Sequence, residues 1–148
     1  MNNISVTYQK LLGIFDGERI KPAEITASAH CNRVPVRNGH LEAISVEFEN
    51  KPTKEQIIEI WKNFKGIPQE LNLPMAPKQP IIYEDEADHP QTRYDRDNDK
   101  GMAVTCGRLR ECNILDYRFV GLSNNIVRGA AGGGILNAEL LKSKGYLK

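Results

Sequence analysis

The strongest pattern in the sequence is an alternation of apolar and polar residues on both sides of Asn38-Gly39. Every second residue is apolar in Ala23–Cys31, and the same spacing returns in Ile44–Phe48. A period of two residues is typical of half-buried strands. Because Asn-Gly accepts the positive φ angles of a type I′ turn, the pattern predicts a β-hairpin centred on this dipeptide.

The register of this hairpin predicts that an apolar face ends in polar side chains. With the turn centred on the Asn-Gly pair, Arg33 lies opposite Ile44 and Arg37 lies opposite His40. Directly opposed residues share a face, so Arg33 and His40 project from one side with Cα atoms about 13–15 Å apart. This indicates the wall of a polar pocket, and the alternative is a solvated hairpin tip without function. Pro35 leaves a bulge or an edge position as another possibility for the register.

Two stretches have the pattern of helices. The first thirteen residues have the pattern of the end of a helix that Gly13 terminates. Thr53 and Gln56 have the spacing of a capping box, and apolar residues that include Trp61 follow at helical spacing. A tryptophan in such a stripe is expected in the core.

The second half of the chain contains further strand patterns. Met102–Gly107 and Ile114–Leu122 are predicted as strands joined by a charged turn, and Ile81–Tyr83 as a short strand inside the irregular stretch Lys65–Asp99. That stretch is long for a plain loop, so we expect it to wrap the domain or to reach a partner. His89 is expected to be a solvated loop residue, with a role as a ligand or a switch as the alternative.

The C-terminal helix is predicted to begin with an almost side-chain-free stretch, Gly129–Gly134, after a cap at Asn124 or Asn125. Each glycine inside a helix costs about 1 kcal/mol relative to alanine. Sequences accept this cost where another backbone or a flat ligand approaches closely. Tight packing against the sheet and a ligand site are therefore both open.

Composition and charge exclude several classes of function. The chain has 148 residues, 20 Lys and Arg against 19 Asp and Glu, and a formal net charge of +1. We expect one domain, residues 1–148, with no electrostatic case for nucleic acid or an anionic membrane. No signal peptide and no membrane-length apolar run is recognised. The 3 cysteines, in spacings unlike a zinc site, are expected to be packed, reduced thiols of a cytoplasmic protein, and no metal site is expected.

Two long motifs carry a resemblance to a known family. Cys31–Val36 (CNRVPV), three further residues and His40–Glu42 (HLE) resemble the segment that holds a substrate-binding arginine and an acid–base histidine in aspartate-semialdehyde dehydrogenases. The match is to the archaeal and fungal branch. Leu122–Gly132, followed by Ile135–Glu139, resembles the final helix of these enzymes, and Gly107–Arg110 resembles a segment between the two. The resemblance covers nearly the whole chain.

The resemblance implies NADPH-dependent reduction of aspartyl 4-phosphate to aspartate 4-semialdehyde, on the pathway to lysine, methionine and threonine. A cysteine thiolate attacks the acyl phosphate, the thioester accepts a hydride, and the hemithioacetal collapses. Histidine suits the proton transfers, and His40 takes that role by its match. Arg33 matches the arginine that holds the substrate carboxylate. Asn125, Gly129 and Ala130 match the part of the final helix that lies beside the nicotinamide of NADP.

Four predicted strands with two or three helices indicate an α+β fold, and the resemblance implies the same fold. We expect a mostly antiparallel sheet with helices on one face, and a C-terminal helix that packs on a Rossmann domain. The chain is expected to be the C-terminal, catalytic and dimerisation portion, without the nucleophilic cysteine and the dinucleotide loop of the family's N-terminal domain. Met1–Ile4 also lacks the glutamate and lysine that help to bind substrate and phosphate in the family. Alone, the chain is expected to be inactive and not to bind NADP, and to need a second copy or the missing half.

Two alternatives stay open at this point. The chain is a non-catalytic dimerisation module or one subunit of a split enzyme, or it is part of a malonyl-CoA reductase, which shares the fold and the cofactor. The sequence does not separate aspartyl phosphate from malonyl-CoA, or NADP from NAD. Cys31 is not expected to be the nucleophile, because its spacing from Arg33 is that of same-face neighbours and the family's nucleophile comes from the other domain.

Overall fold

The computed structural model describes residues 4–147, and the chain divides into two compact units, residues 1–35 and 36–148. Met1–Asn3, most of the segment expected to lack the family's glutamate and lysine, lies outside the described residues. Within the part that is described, no helix has the length and apolar character needed to cross a membrane.

The first unit contains one helix and a small hairpin. These elements are α1 (Ile4–Leu11), β1 (Ile14–Phe15) and β2 (Ile20–Lys21). The helix agrees with the pattern of the first thirteen residues, and Gly13 follows its end. Asp16 Oδ1 accepts the N–H groups of Arg19 and Glu18 at 3.0 and 3.1 Å, which closes the hairpin turn and lowers the pKa of Asp16.

The strand predicted over Ala23–Cys31 is absent. Residues 22–39 contain no helix and no strand, and β3 (His40–Val46) pairs instead with β6 (Tyr117–Ser123) in an antiparallel ladder. Gly39 has a φ of +103°, whereas Asn38 has no positive φ, so the type I′ turn is absent too. The hairpin prediction is therefore wrong, and the register that placed Arg33 opposite Ile44 fails with it.

The second unit is built on a four-stranded sheet in the order β3-β6-β5-β4, where β4 is Ile81–Glu84 and β5 is Val104–Glu111. The β3-β6 and β6-β5 pairs are antiparallel, and β4 runs parallel to β5. The mostly antiparallel sheet and the short strand at Ile81 are thus confirmed. The charged turn predicted at Arg108–Asn113 is shorter than expected, because β5 continues beyond a register shift between Gly107 and Arg110.

A helix covers one face of this sheet. The helices here are α2 (Lys54–Asn63) and α3 (Ile67–Glu70). The predicted capping box starts α2, since Thr53 Oγ1 accepts the Gln56 N–H at 3.2 Å and Gln56 Oε1 accepts the Thr53 N–H at 2.8 Å. Trp61 packs on Tyr83 and Phe119 with ring centroids 5.8 and 5.0 Å away. Its predicted place in the core is confirmed.

The opposite face is covered in part by residues 85–101. Thr105 and Leu122 are cross-strand partners on that face, and they are only 0% and 1% exposed. Asn98 Nδ2 donates to Thr105 Oγ1 at 3.1 Å, and the Thr105 hydroxyl donates to the Asp95 carbonyl at 3.4 Å. The long irregular stretch therefore wraps the domain, which is one of the two roles predicted for it.

The chain leaves β6 through a π-helical turn, Val127–Ala131, and continues as α4, Gly132–Ser143. Asn124 caps this start, as predicted, because its Oδ1 accepts the N–H groups of Ile126 and Val127 at 3.0 and 2.9 Å. Gly132 is buried, and a Cβ there would lie within 3.0 Å of Met75 Cε. One position of the glycine stretch thus serves tight packing, while Gly129 is exposed.

Candidate functional site

Two of the predicted site residues meet at one corner of the sheet. His40 begins β3 and pairs with Ser123, the last residue of β6. The Gly39 N–H donates to Asn125 Oδ1 at 2.8 Å, across 86 positions of sequence. Gly39 is buried at a φ of +103°, and a Cβ there would lie 3.2 Å from Leu122 Cδ1, so glycine is required. The two matched motifs therefore converge through a backbone hydrogen bond.

The π-helical turn places Gly129 and Ala130 directly after this corner. The Gly129 N–H donates to the Asn124 carbonyl at 3.0 Å, which is the i to i−5 spacing of a π-helix. Arg128 Nη1 donates to the Met102 carbonyl at 3.1 Å and ties the turn to the residues before β5. Both Gly129 and Ala130 are exposed and carry at most a methyl group. They form a flat surface, and π-helical turns are frequent at functional sites.

A buried polar contact stabilises the start of the π-helical turn. Asn124 is only 3% exposed, and its Nδ2 donates to Asp97 Oδ1 at 3.0 Å. Gly101, at a φ of +79°, passes so close that a Cβ would lie 3.0 Å from Asn124 Nδ2 and 3.1 Å from Val127 Cβ. The sequence did not identify Asp97, because its contact with Asn124 joins residues 27 positions apart.

Arg33 belongs to the first unit. It is exposed and lies on residues 22–39, which form no strand. Its predicted place beside His40 rested on a hairpin that does not form, so the role of Arg33 stays a prediction supported by the resemblance.

The corner offers two chemical functions. His40 is exposed, so its imidazole is open to a reacting group and can exchange protons with it. The oxygen of the Asn125 side chain already accepts the Gly39 N–H, which leaves the amide NH₂ as its donor for a ligand. A proton-transfer group and a hydrogen-bond donor thus lie on the two segments that the Gly39 N–H joins, and the side-chain-poor π-helical turn follows the second segment.

The three cysteines are free, and none of them takes part in the hydrogen bonds described at this corner. Burial raises the pKa of Cys106 to about 11, so this thiol is neutral and inert. The Leu115 and Ile114 N–H groups lower the pKa of Cys112. Cys31 is exposed. The prediction of packed thiols is confirmed for Cys106 and wrong for Cys31, which lies on the strand-free segment.

Two surface depressions of the described residues lie along α2 and at its start. Neither depression is lined by a predicted site residue. They are lined by residues of α2, the loop before it and the adjoining sheet. His40 is exposed and Asn125 is only half-buried, so a closed binding site at this corner needs walls from elsewhere.

Comparison with known proteins agrees with the resemblance. The family described as "Semialdehyde dehydrogenase, dimerisation domain" matches residues 2–128. The chain is 49% identical over 135 residues to the aspartate-semialdehyde dehydrogenase of Methanothermobacter thermautotrophicus, covering 88% of this chain and 38% of that relative. It is 45% identical over 126 residues to the malonyl CoA reductase (NADP) of Metallosphaera sedula, covering 84% of this chain and 35% of that relative.

The fold has a close match among solved structures. Aspartate semialdehyde dehydrogenase with NADP from Candida albicans superposes with a TM-score of 0.88 at 40% identity, covering 98% of this chain and 42% of that one. The chain thus spans about two fifths of the length of the relatives it matches. The family match includes Arg33, His40 and Asn125 and ends before Gly129 and Ala130. The chain therefore belongs to the semialdehyde dehydrogenase dimerisation-domain family.

Proposed function

We propose that the chain is the C-terminal, catalytic and dimerisation portion of a cytoplasmic aspartate-semialdehyde dehydrogenase. The whole enzyme reduces aspartyl 4-phosphate to aspartate 4-semialdehyde with NADPH, in lysine, methionine and threonine biosynthesis. The observation that carries the proposal is the Gly39 to Asn125 hydrogen bond of 2.8 Å, because it joins the motif of His40 to the motif of the final helix. An N-terminal portion supplies the cysteine nucleophile and the dinucleotide loop.

His40 serves as the acid–base group in this proposal. It stands at the first residue of β3, so a rigid strand holds its backbone while its side chain stays exposed. Proton transfer by a positioned histidine contributes about 10²–10⁴-fold to rate. The imidazole would give a proton to the reacting carbonyl oxygen and take it back when the hemithioacetal releases the sulfur.

Arg33 binds the substrate carboxylate in this proposal. A guanidinium presents two parallel N–H groups to a carboxylate and holds it in one orientation. Arg33 is exposed, so its guanidinium is accessible to a small anionic substrate. Lysine at this position would keep the charge and lose the paired geometry.

The residues after β6 fit the nicotinamide end of NADP. The NH₂ of Asn125 suits a carboxamide oxygen, because the Asn125 oxygen is held by the Gly39 N–H. Exposed Gly129 and Ala130 let a flat ring approach the backbone. When bound, the cofactor supplies the hydride, and these three residues orient it. The dinucleotide's phosphates are left to the N-terminal portion, so the chain alone does not bind NADP.

The chain works in an assembly, either with a second copy or with the N-terminal portion. Several large apolar side chains of β3 and α4 are about half exposed, among them Leu41 at 52% and Ile135 at 52%. Apolar patches on a folded surface are typical of contacts with another chain or domain. His40 is exposed, so a closed binding site around it also needs walls from outside this chain.

Reconstitution tests the proposal. The chain is mixed with the N-terminal part of the Methanothermobacter relative, and NADPH formation from aspartate semialdehyde, phosphate and NADP is followed by absorbance. We expect turnover from the mixture, none from either part alone, and co-sedimentation of the two. His40→Asn should lower kcat by about 10²–10⁴-fold. Arg33→Lys should mainly raise KM for the semialdehyde, since it loosens carboxylate binding.

The matched control is His30→Asn, which replaces another exposed histidine and should leave the rates within about twofold. Turnover by the chain alone, or a His40→Asn mixture as active as the unmodified one, would contradict the proposal.

The second candidate is a malonyl-CoA reductase. It is favoured by the 45% identity to the Metallosphaera sedula enzyme, which is close to the 49% for the first relative. The same reconstituted mixture separates the two, because malonyl-CoA in place of the aspartyl substrate would then be the one that supports NADPH oxidation. A non-catalytic dimerisation module would give co-sedimentation without either activity.

A further inference from the structure

A second cluster of chemically active side chains follows β4, on residues that the candidate site does not use. Glu86, Asp88 and His89 each present one ligand atom, and these atoms all lie within 4.8 Å of one another. His89 is also less exposed than the sequence suggests, because only 19% of its side chain is accessible. The prediction of a solvated loop histidine is therefore wrong.

The imidazole of His89 is held in one orientation by a buried carboxylate outside the cluster. His89 Nδ1 lies 2.8 Å from Asp95 Oδ2, and the Asp95 side chain is only 8% exposed. The Gln91 N–H donates to the same Asp95 oxygen. Because a carboxylate oxygen accepts, Nδ1 carries a proton, and Nε2 is the nitrogen that a metal ion would bind in place of a proton. This is the arrangement that orients a metal-binding histidine in proteins, with a carboxylate on the nitrogen away from the metal.

The backbone beneath His89 is also fixed. The His89 N–H donates to the Glu86 carbonyl at 3.1 Å, so one turn joins the two residues. On the sheet side, a Cβ at Gly107 would lie 2.5 Å from the His89 carbonyl oxygen, which shows how closely the segment rests on β5. The imidazole therefore projects from a rigid support.

The distance between His89 Nε2 and Glu86 Oε2 suits a small divalent ion. Zinc binds nitrogen and oxygen ligands at about 2.0–2.2 Å in tetrahedral geometry, which places ligand atoms about 3.3–3.6 Å apart. His89 Nε2 and Glu86 Oε2 are already 3.4 Å apart. The exposed carboxylate of Asp88 presents its ligand atom within 4.8 Å of the other two, and its Oδ2 accepts the Gln91 Nε2–H at 3.0 Å. Three protein ligands leave a fourth position for water.

The charge around the cluster favours a cation. The carboxylates of Glu86, Asp88 and Asp95 place negative charge around the His89 imidazole. Either a proton or a metal ion at the imidazole would offset this negative charge. An imidazole nitrogen in the set disfavours Mg²⁺ and Ca²⁺, which prefer oxygen ligands alone.

We propose that Glu86, Asp88 and His89 form a binding site for one divalent transition-metal ion of the zinc class, with Asp95 as the positioning residue for the imidazole. The bound ion fixes the first part of the 85–101 segment on β5. The site is independent of the proposed dehydrogenase function.

Titration of the metal-stripped 148-residue chain with Zn²⁺ by calorimetry, and with Co²⁺ by visible absorbance, tests the proposal. We expect one ion per chain with a dissociation constant in the micromolar range. Glu86→Gln and His89→Gln should each weaken binding at least tenfold, and Asp95→Asn by about 10–100-fold. Glu86 is exposed, so Glu86→Gln leaves folding intact even where a change at His89 does not.

The matched control is the double change His30→Gln with Cys31→Ser, which removes an exposed imidazole and thiol from the first unit. It should leave the affinity unchanged. An adventitious ion only, recognised by more than one equivalent bound, by affinity lost in the control, or by affinity retained in Glu86→Gln and His89→Gln, would overturn the proposal. So would the lack of binding up to millimolar Zn²⁺.

Discussion

The two alternating segments on either side of Asn38-Gly39 have the same period and different structures. Ala23–Cys31 forms no strand, whereas the segment after the dipeptide forms β3 and pairs with β6 along seven residues. The apolar positions of the first segment are mostly alanine, and those of the second are isoleucine and valine. Alanine buries little area, so alternation without large side chains gives a weak preference for a strand. A strand forms where burial and a pairing edge coincide.

The largest difference in unfolding free energy is expected between a buried and an exposed apolar side chain. Leu122 in β6 is 1% exposed, and Ile25 in the strand-free segment is 44% exposed. Leu122→Ala should lower the free energy of unfolding by about 2–5 kcal/mol, because it leaves a cavity under the 85–101 segment. Ile25→Ala should change it by less than about 1 kcal/mol. Urea unfolding followed by circular dichroism measures both, and equal losses would show that the strand-free segment is part of the core.

A smaller effect is expected from two glycines, one packed closely in β5 and one with open space around it in α4. A Cβ at Gly107 would lie 2.5 Å from the His89 carbonyl oxygen, and nothing lies within 4 Å of one at Gly134. Gly107→Ala should therefore cost about 1–3 kcal/mol, since backbone must move to admit it. Gly134→Ala, inside α4, should stabilise by about 0.5–1 kcal/mol. Thermal unfolding of both variants gives the comparison, and a neutral Gly107→Ala would mean that residues 85–101 do not rest on β5.

Local signals in the sequence predicted the parts of the fold that depend on neighbouring residues. The capping box of Thr53 and Gln56, the core position of Trp61 and the Asn124 cap each follow from side chains within a few positions. Strand pairing joins distant residues, so no local rule chose β6 over the preceding segment as the partner of β3. The same limit hid Asp97, whose contact with Asn124 spans 27 positions.

The sequence also predicted only part of the candidate site. The motifs identified His40 and Asn125 separately, and the resemblance assigned their roles. Their meeting at one corner depends on the Gly39 N–H, a backbone group that side-chain patterns do not report. Arg33 shows the reverse case, since its predicted neighbour came from a register that the fold does not use. Strand register gives no support for the role of Arg33, which therefore rests on the family motif alone.

The most direct measurement of the central claim is amide hydrogen exchange of the 148-residue chain, resolved by NMR. The claim is that β6, rather than a local hairpin, builds the corner of His40 and Asn125. The Gly39 amide and the paired amides of β6 should be protected, and the amides of residues 26–31 should exchange at nearly unprotected rates. Asn125→Ala removes the acceptor of the Gly39 N–H, which is worth about 1 kcal/mol, and should speed exchange at Gly39 several-fold.

Asn125→Asp keeps an acceptor oxygen at the same place and is the matched control, in which Gly39 should stay protected. The account is contradicted if residues 26–31 are protected as strongly as β6, or if Gly39 exchanges freely and does not respond to Asn125→Ala.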